Sequence, residues 1–393
     1  MKRKMCTCLQ IHNDYLVPGG ETKSAKLIAD LLEKKGIRVI RYYKDNNDIK
    51  SGLTNLVIAG MKSFYNFDTI REIEEIISNN HIDFALIHNT SPIISNSIYE
   101  VLKKRNIKII KYIQNYNLLC LNGALDCGAD CNICMHNRFI GVKKACYKGS
   151  KLFTLQKLLC LKMLEKRYLK NIDAFVAISD FVKKRHVNAG IVEEKIYVIY
   201  HFCEMLDLQK VEQNEYFLYM GRLSKEKGVL TLIKAVASNP ELQLLIMGKG
   251  PMEEEIQSII KSRNLSNVKM VGFKTGRERD EIIQSAKALI APSEWEEPFG
   301  RIVIEAYQFG TPVIVARNGG LPELVVDGSG YVFEPGNVKQ LADIMLKFSK
   351  MDKDMYMNMR LNSSKQLSEK FSQDAYFVNF CRLLKEIGVD IDA

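Results

Sequence analysis

The stretch Pro292–Pro322, PSEWEEPFGRIVIEAYQFGTPVIVARNGGLP, decides the fold. It follows Ala288-Leu289-Ile290-Ala291, a short apolar run bounded by a proline that reads as a buried strand. Pro292 to Pro298, with Ser293 and three glutamates, reads as a loop. After Gly300, apolar residues at Ile302, Val303, Ala306 and Phe309 have the spacing of a helix face. Gly310-Thr311-Pro312 stops that helix, and Val313-Ile314-Val315-Ala316 is a second buried strand. Strand, loop, helix, turn and strand in that order suit a parallel α/β sheet whose ligands bind at strand ends.

Two carboxylates punctuate the stretch, Glu297 in the loop and Glu305 in the helix. Ionised carboxylates accept hydrogen bonds at both oxygens and suit vicinal sugar hydroxyls. A solvated surface pair is the plainer alternative. The helix start at Phe299-Gly300-Arg301 offers unpaired N–H groups and partial positive charge to a phosphate.

Upstream, Tyr216 to Met220 reads as a strand leading into Gly221-Arg222-Leu223-Ser224-Lys225-Glu226-Lys227-Gly228. Arg222 and Lys227 flank that turn. A forked guanidinium and a point-charge ammonium at one strand end suit a diphosphate. Strands at Leu242–Gly248 and Val268–Phe273 end in Gly248-Lys249-Gly250-Pro251 and Gly272-Phe273.

These residues carry a family resemblance. Glu297-x7-Glu305 with Pro298-Phe299-Gly300, Glu305-Ala306, Gly310-Thr311-Pro312-Val313 and Gly319-Gly320-x-Pro322-Glu323 resembles the signature of glycosyltransferase family 4. The resemblance implies an α/β GT-B fold: two Rossmann-like, doubly wound domains facing a deep cleft, with a C-terminal helix crossing back to the first. It implies a retaining enzyme that takes a sugar from a nucleotide-diphosphate donor, a UDP- or GDP-sugar, and works without a metal or other cofactor. Arg222, Lys227 and Glu297 would be catalytic, the cations on the diphosphate and Glu297 on donor-sugar hydroxyls. Glu305 would hold the ribose, and loops at Gly250 and Phe273 the nucleobase. Phe299, Gly300 and Arg301 would lie against the donor. A nucleotide-sugar epimerase of the same fold and a non-catalytic nucleotide-sugar binder are the alternatives.

The first half reads as a similar unit. Met5–Ile11 is a strand, Gly19-Gly20 a turn, and Ala25, Ile28, Leu31 and Leu32 mark a helix face. The full G-x-G-x-x-G spacing of a dinucleotide site is missing, which disfavours a dehydrogenase. By resemblance, Gly19 and Gly20 lie near the donor phosphates. The family's usual donor-facing histidine is replaced by Gln114, which hydrogen-bonds but cannot titrate. The expected division is 1–203 for the acceptor-side domain, 204–373 for the donor domain and 374–393 for the terminal helix. Tyr200 to Asn214 serves as the linker.

Cys120, Cys127, Cys131, Cys134 and Cys146 crowd the 120–146 loop. Cys131-x2-Cys134 has the spacing of a zinc knuckle, but no second such pair follows, and reduced thiols are the alternative. Lys151 to Lys170 alternates Leu152, Leu155, Leu158, Leu159, Met163 and Leu164 with basic residues. It reads either as a core-facing helix with a solvated basic face or as one lying on an anionic membrane.

The formal charge of +10, from 56 basic and 46 acidic residues, favours an anionic partner. No helix-turn-helix, aromatic RNA-binding strand or basic tail is present, so nucleic acid is not the expected one. No apolar run reaches the roughly 18 residues of a membrane span, and the basic start gives way too soon for a signal peptide. The expected setting is the cytoplasm, with peripheral contact to the inner membrane face, and the expected acceptor a growing glycan that is lipid-linked.

Overall fold

The computed structural model describes residues 5–14, 19–45, 60, 62–125, 130–206, 215–326 and 328–391. Two compact units form, one from Met1–Ile199 with Phe377–Ala393 and the other from Tyr200–Tyr376.

The first unit is built on β1 (Thr7–Asp14), β2 (Arg38–Asp45), β3 (Phe84–Ile87), β4 (Lys108–Ile113), β5 (Ala174–Ala177) and β6 (Ile196–Val198). They form one parallel sheet in the order β2-β1-β3-β4-β5-β6. β3 and β5 are buried throughout, which explains their uninterrupted apolar sequence. β1 runs past Ile11 to Asp14 because its polar residues find partners. His12 Nε2 lies 3.0 Å from Thr22 Oγ1, and Gln10 donates to the Ala25 carbonyl at 2.9 Å. The Asn13 amide joins the Asn89 carbonyl at 2.9 Å. The chain's last residues close this unit, with Leu383 and Leu384 buried and Phe380 6.0 Å from the Phe84 ring centroid.

The second unit contains β7 (Tyr216–Met220), β8 (Gln243–Met247), β9 (Val268–Gly272), β10 (Ala288–Ala291), β11 (Val313–Ala316) and β12 (Gly330–Phe333). Its parallel order is β12-β11-β10-β7-β8-β9. Helices Val229–Ala237 and Val338–Ser349 bury Leu232, Ile233, Leu341, Met345 and Phe348 in one core with Phe217, Leu244 and Phe333. The start of the expected linker is packed core instead. His201, Phe202 and Cys203 are buried, Phe202 lies 4.8 Å from the Tyr376 ring, and the Cys203 amide donates to the Phe371 carbonyl at 3.0 Å. Residues 207–214 of that linker lie outside the described residues.

The basic stretch at 151–170 resolves into a helix, Lys151–Met163, a π-turn, Leu164–Tyr168, and a 3-10 turn, Leu169–Asn171. Its apolar residues are divided: Leu158, Leu161 and Leu164 are buried, whereas Leu152, Leu155 and Leu159 are exposed.

His186, on the helix Asp180–Asn188, is fully buried, and its Nδ1 donates to the Val182 carbonyl at 2.8 Å. Its Nε2 has no partner among the described residues. Burial pushes its pKa down to about 4. The folded state therefore holds fewer protons at this site than the unfolded state between about pH 4 and the ordinary histidine value near 6.5. Its contribution to stability is complete above that window and is lost as pH falls through it. Acidification from about pH 7 to pH 5 should cost roughly 2 kcal/mol through this group. Denaturant melts of wild type and His186→Leu should then converge on acidification, and parallel profiles would remove His186 as the cause.

Candidate active site

In the second sheet the chain runs outward from β7 to β8 and β9, then crosses to β10, β11 and β12 on the other side. The loops after β7 and β10 therefore diverge, which opens a crevice at the C-terminal strand ends. The β7 loop carries Arg222 and Lys227, and the β10 loop carries Glu297.

The structure brings Lys227 and Glu297 into contact, with Nζ donating to Oε2 at 2.6 Å. The same oxygen accepts from Trp295 Nε1 and from Ser293 Oγ, each at 3.1 Å. The ammonium also sits 5.1 Å from the Trp295 ring centroid, a cation–π distance. Three donors on one oxygen fix the carboxylate and leave Oε1 to accept from a ligand hydroxyl. Arg222 is exposed, and its guanidinium has no hydrogen-bond or ion-pair partner among the described residues. Beneath it, Tyr219 donates to the Arg222 carbonyl at 2.7 Å. Burial, then the Glu297 and Glu226 carboxylates, raises the Tyr219 phenol and keeps it a donor.

Glycines let these loops approach. Gly228 has φ +69°, and a Cβ there would lie 1.9 Å from the Pro292 carbonyl oxygen. Gly319 has φ +61°, and a Cβ would fall 2.1 Å from the Glu297 carbonyl oxygen and 2.4 Å from its nitrogen. The Gly320 amide donates to that carbonyl at 2.7 Å, and the Glu294 amide donates to the Glu226 carbonyl at 2.8 Å. Gly250 touches the β7 loop as closely, its would-be Cβ 2.3 Å from the Leu223 carbonyl oxygen.

Glu305 is buried on the short helix Arg301–Tyr307, one residue range after Gly300. It is held by a residue that no motif marks: Arg279 Nη2 donates to Glu305 Oε2 at 2.5 Å. Arg301 Nε stands 3.8 Å from the other carboxylate oxygen. Arg279 lies in Gly276-Arg277-Glu278-Arg279-Asp280, a charge run that reads as a solvated face. Its only distinguishing mark is spacing, two residues beyond Arg277, which turns it inward while Arg277 stays exposed.

Phe299 turns its side chain away from the crevice. Its ring is buried 5.1 Å from His201, 6.1 Å from Tyr200 and 6.3 Å from Phe371 by centroid, so only its backbone is left for a ligand. Burial and the Arg301 charge push the His201 pKa down, so that ring is neutral. Phe273, at the end of β9, is 64% exposed and does present a free aromatic face.

The other expected site residues belong to the first unit. Gly19 caps the helix Gly20–Lys34 in an extended conformation, and a Cβ there would meet nothing within 4 Å among the described residues. Its φ of −114° is one that any residue can adopt. Gln114 is buried, with Nε2 2.8 Å from His88 Nδ1. The His88 Nε2 in turn lies 3.0 Å from Gln10 Nε2. Gln114 thus fixes the orientation of a neighbouring imidazole.

Cys120, Cys131, Cys134 and Cys146 line one small cavity with Leu119, Leu121 and Ile140. Among the described residues no three His, Cys, Asp or Glu side chains are placed to hold a metal ion, and Cys127 lies outside them.

Residues 205–366 match the family model of glycosyl transferases group 1. An uncharacterized 42.6 kDa protein in the cps region of Klebsiella pneumoniae is 27% identical over 334 residues, 80% of this chain and 82% of that protein. The 2-deoxystreptamine N-acetyl-D-glucosaminyltransferase of Niallia circulans is 29% identical over 223 residues, 55% of each chain. Anabaena HepE in complex with UDP superposes with a TM-score of 0.68 at 18% identity, over 97% of this chain and all of that one. The fold is the GT-B arrangement of two Rossmann-like parallel-sheet domains. Residues 205–366 carry the match to glycosyl transferases group 1, and the chain is a glycosyltransferase.

Proposed function

We propose that this glycosyltransferase is retaining, and that it moves a sugar from a UDP- or GDP-sugar to a hydroxyl of a growing, lipid-linked polysaccharide. The observation that carries the donor assignment is the Lys227–Glu297 contact at the β7/β10 crevice, with the unpaired Arg222 on the same loop. When the sugar–phosphate bond breaks, negative charge collects on the β-phosphate, where the guanidinium and the ammonium stabilise it without rearrangement. That positive charge is why the reaction is proposed to call on no metal ion. Glu297 would take a donor-sugar hydroxyl through Oε1. Glu305 would hold the ribose, with Arg279 fixing the carboxylate as its partner. The exposed Phe273 ring and the Gly250 loop would face the base.

The UDP bound to HepE supports a uridine donor, and the cps-region relative supports a surface polysaccharide as product. No helix among the described residues is long and apolar enough to cross a membrane. The exposed Leu152 and Leu159 beside Lys151 and Lys162 support peripheral contact with an anionic inner-face membrane. The testing experiment incubates the enzyme with UDP-sugars and GDP-sugars and a lipid-linked acceptor. The anomeric configuration of the product is then read by NMR. Retained configuration with one donor series is expected, whereas an inverted product would overturn the stereochemical assignment. Full activity on a soluble acceptor, with no binding to anionic vesicles, would overturn the membrane assignment.

A further inference from the structure

The first unit contains a cavity of about 50 Å³, lined in part by charged and amide side chains. It lies at the first sheet's own switch point. The chain passes from β1 to β2 on one side and to β3 on the other, so the loops after β1 and β3 diverge there. The loop His88–Ser91 and the helix bearing Glu21 form part of the wall, and Asn115 and Asn117 another part.

Two lysines from separate elements reach the same cavity, Lys111 from β4 and Lys157 from the helix Lys151–Met163. Both are half-buried, and neither makes an ion pair with a carboxylate among the described residues. Lys111 donates to the His88 carbonyl, which fixes its direction. Lys157 lies 5.9 Å from the Tyr147 ring centroid. The single carboxylate in the wall, Glu21, already accepts from Asn115 Nδ2 at 2.8 Å. The cavity therefore holds two ammonium groups against one engaged carboxylate. That leaves an excess of one positive charge in the cavity wall, which favours an anionic occupant. Burial lowers the pKa of both, Lys111 to about 8, where the Glu21 carboxylate opposes the shift and the Lys157 charge adds to it.

We propose that this cavity is an oxyanion-binding acceptor subsite, in which Lys111 and Lys157 hold a phosphate or carboxylate carried by the sugar acceptor. Asn115, Asn117 and Thr90 supply donors and acceptors for the neighbouring hydroxyls, which is the composition of a carbohydrate site. The oxyanion has two sources, the diphosphate of a lipid carrier or the carboxylate of an acidic sugar. Calling the ligand the acceptor rests on the glycosyltransferase reading above; the anion site itself does not.

The test is calorimetry on the full chain. UDP is titrated first, and inorganic pyrophosphate, glucuronate and methyl glucoside are then titrated separately into the UDP-saturated protein. Saturation keeps pyrophosphate out of the Arg222 loop. Charge-assisted hydrogen bonds lead to an expected loss of anion affinity of at least about tenfold in Lys157→Gln and in Lys111→Met. Methyl glucoside affinity should be little changed. Lys157→Gln, on a helix surface, keeps the test valid if Lys111→Met unfolds. Binding of pyrophosphate alone assigns the carrier diphosphate, and binding of glucuronate alone assigns an acidic sugar. Anion affinity unchanged in Lys157→Gln, or methyl glucoside binding as tightly as either anion, would overturn the proposal. If UDP binds and the anions do not, the subsite fails while the donor site stands. If the anions bind and UDP does not, the reverse holds.

Discussion

Lys227→Met is expected to lower kcat by about 10²–10³-fold while leaving the fold intact. The size follows from where the charge acts. The ammonium is held by Glu297 at 2.6 Å and by the Trp295 face, so it is oriented before the donor arrives. Its interaction with the departing diphosphate strengthens as charge develops, and that kind of interaction lowers the barrier rather than KM. The substitution also leaves Glu297 with only the neutral Ser293 and Trp295 donors. Single-turnover kinetics with a saturating donor separates the two effects. A fall in kcat with near-constant donor affinity is the expected pattern. A variant that turns over within about threefold of wild type would remove Lys227 from the chemistry, since an oriented cation at the leaving group is worth far more than that.

The second large effect is expected at a residue that touches no ligand. Gly319→Ala would place a methyl group 2.1 Å from the Glu297 carbonyl oxygen and 2.4 Å from the Glu297 nitrogen. Both neighbours are backbone, so no side chain can rotate away, and φ +61° adds a penalty of about 1–2 kcal/mol for any residue with a Cβ. The β10 loop must shift, and it carries Glu297 with it. Misplacement of a catalytic group by about 1 Å costs on the order of 10²-fold in rate. Activity should therefore fall to near that of Lys227→Met, with circular dichroism unchanged. Gly336→Ala serves as the control, because its φ of +71° is similar while a Cβ there would meet nothing within 4 Å among the described residues. Equal losses in both variants would show that backbone strain alone is responsible.

The strands were largely legible, for a physical reason. β3, β7, β10 and β11 are short, continuous apolar runs ended by turn residues, because parallel strands are covered on both faces. Lys353–Lys370 was not legible as a helix. It buries only Tyr356, Met359, Ser363 and Leu367, while Met355, Met357 and Leu361 are exposed, so apolar residues appear on several faces and the period is blurred. The end of β1 is not legible because His12 and Asn13 look like loop residues, and tertiary partners such as Thr22 and Asn89 make them strand residues. In the candidate site, Lys227 and Glu297 stood out because turn and motif spacing mark them. Arg279 did not, since its pairing with Glu305 depends on how the helix Gly276–Ser285 is turned against the helix Arg301–Tyr307. The direction of the Phe299 ring is equally illegible in the sequence. A motif position predicts a place near the ligand, but whether the ring faces ligand or core is decided by Tyr200, His201 and Phe371, which are distant in sequence.

The crevice at Lys227 and Glu297 is expected to bind a nucleoside diphosphate. The chain has one tryptophan, Trp295, and its indole N–H touches Glu297 while its ring faces Lys227. A fluorescence titration with UDP, GDP and ADP therefore reads this site and no other. One of the three should change Trp295 emission saturably at micromolar concentration, with affinity falling at least about tenfold in Arg222→Ala. If none of the three alters the emission, or if Arg222→Ala binds the nucleotide as tightly as wild type, the diphosphate site is not where this account places it.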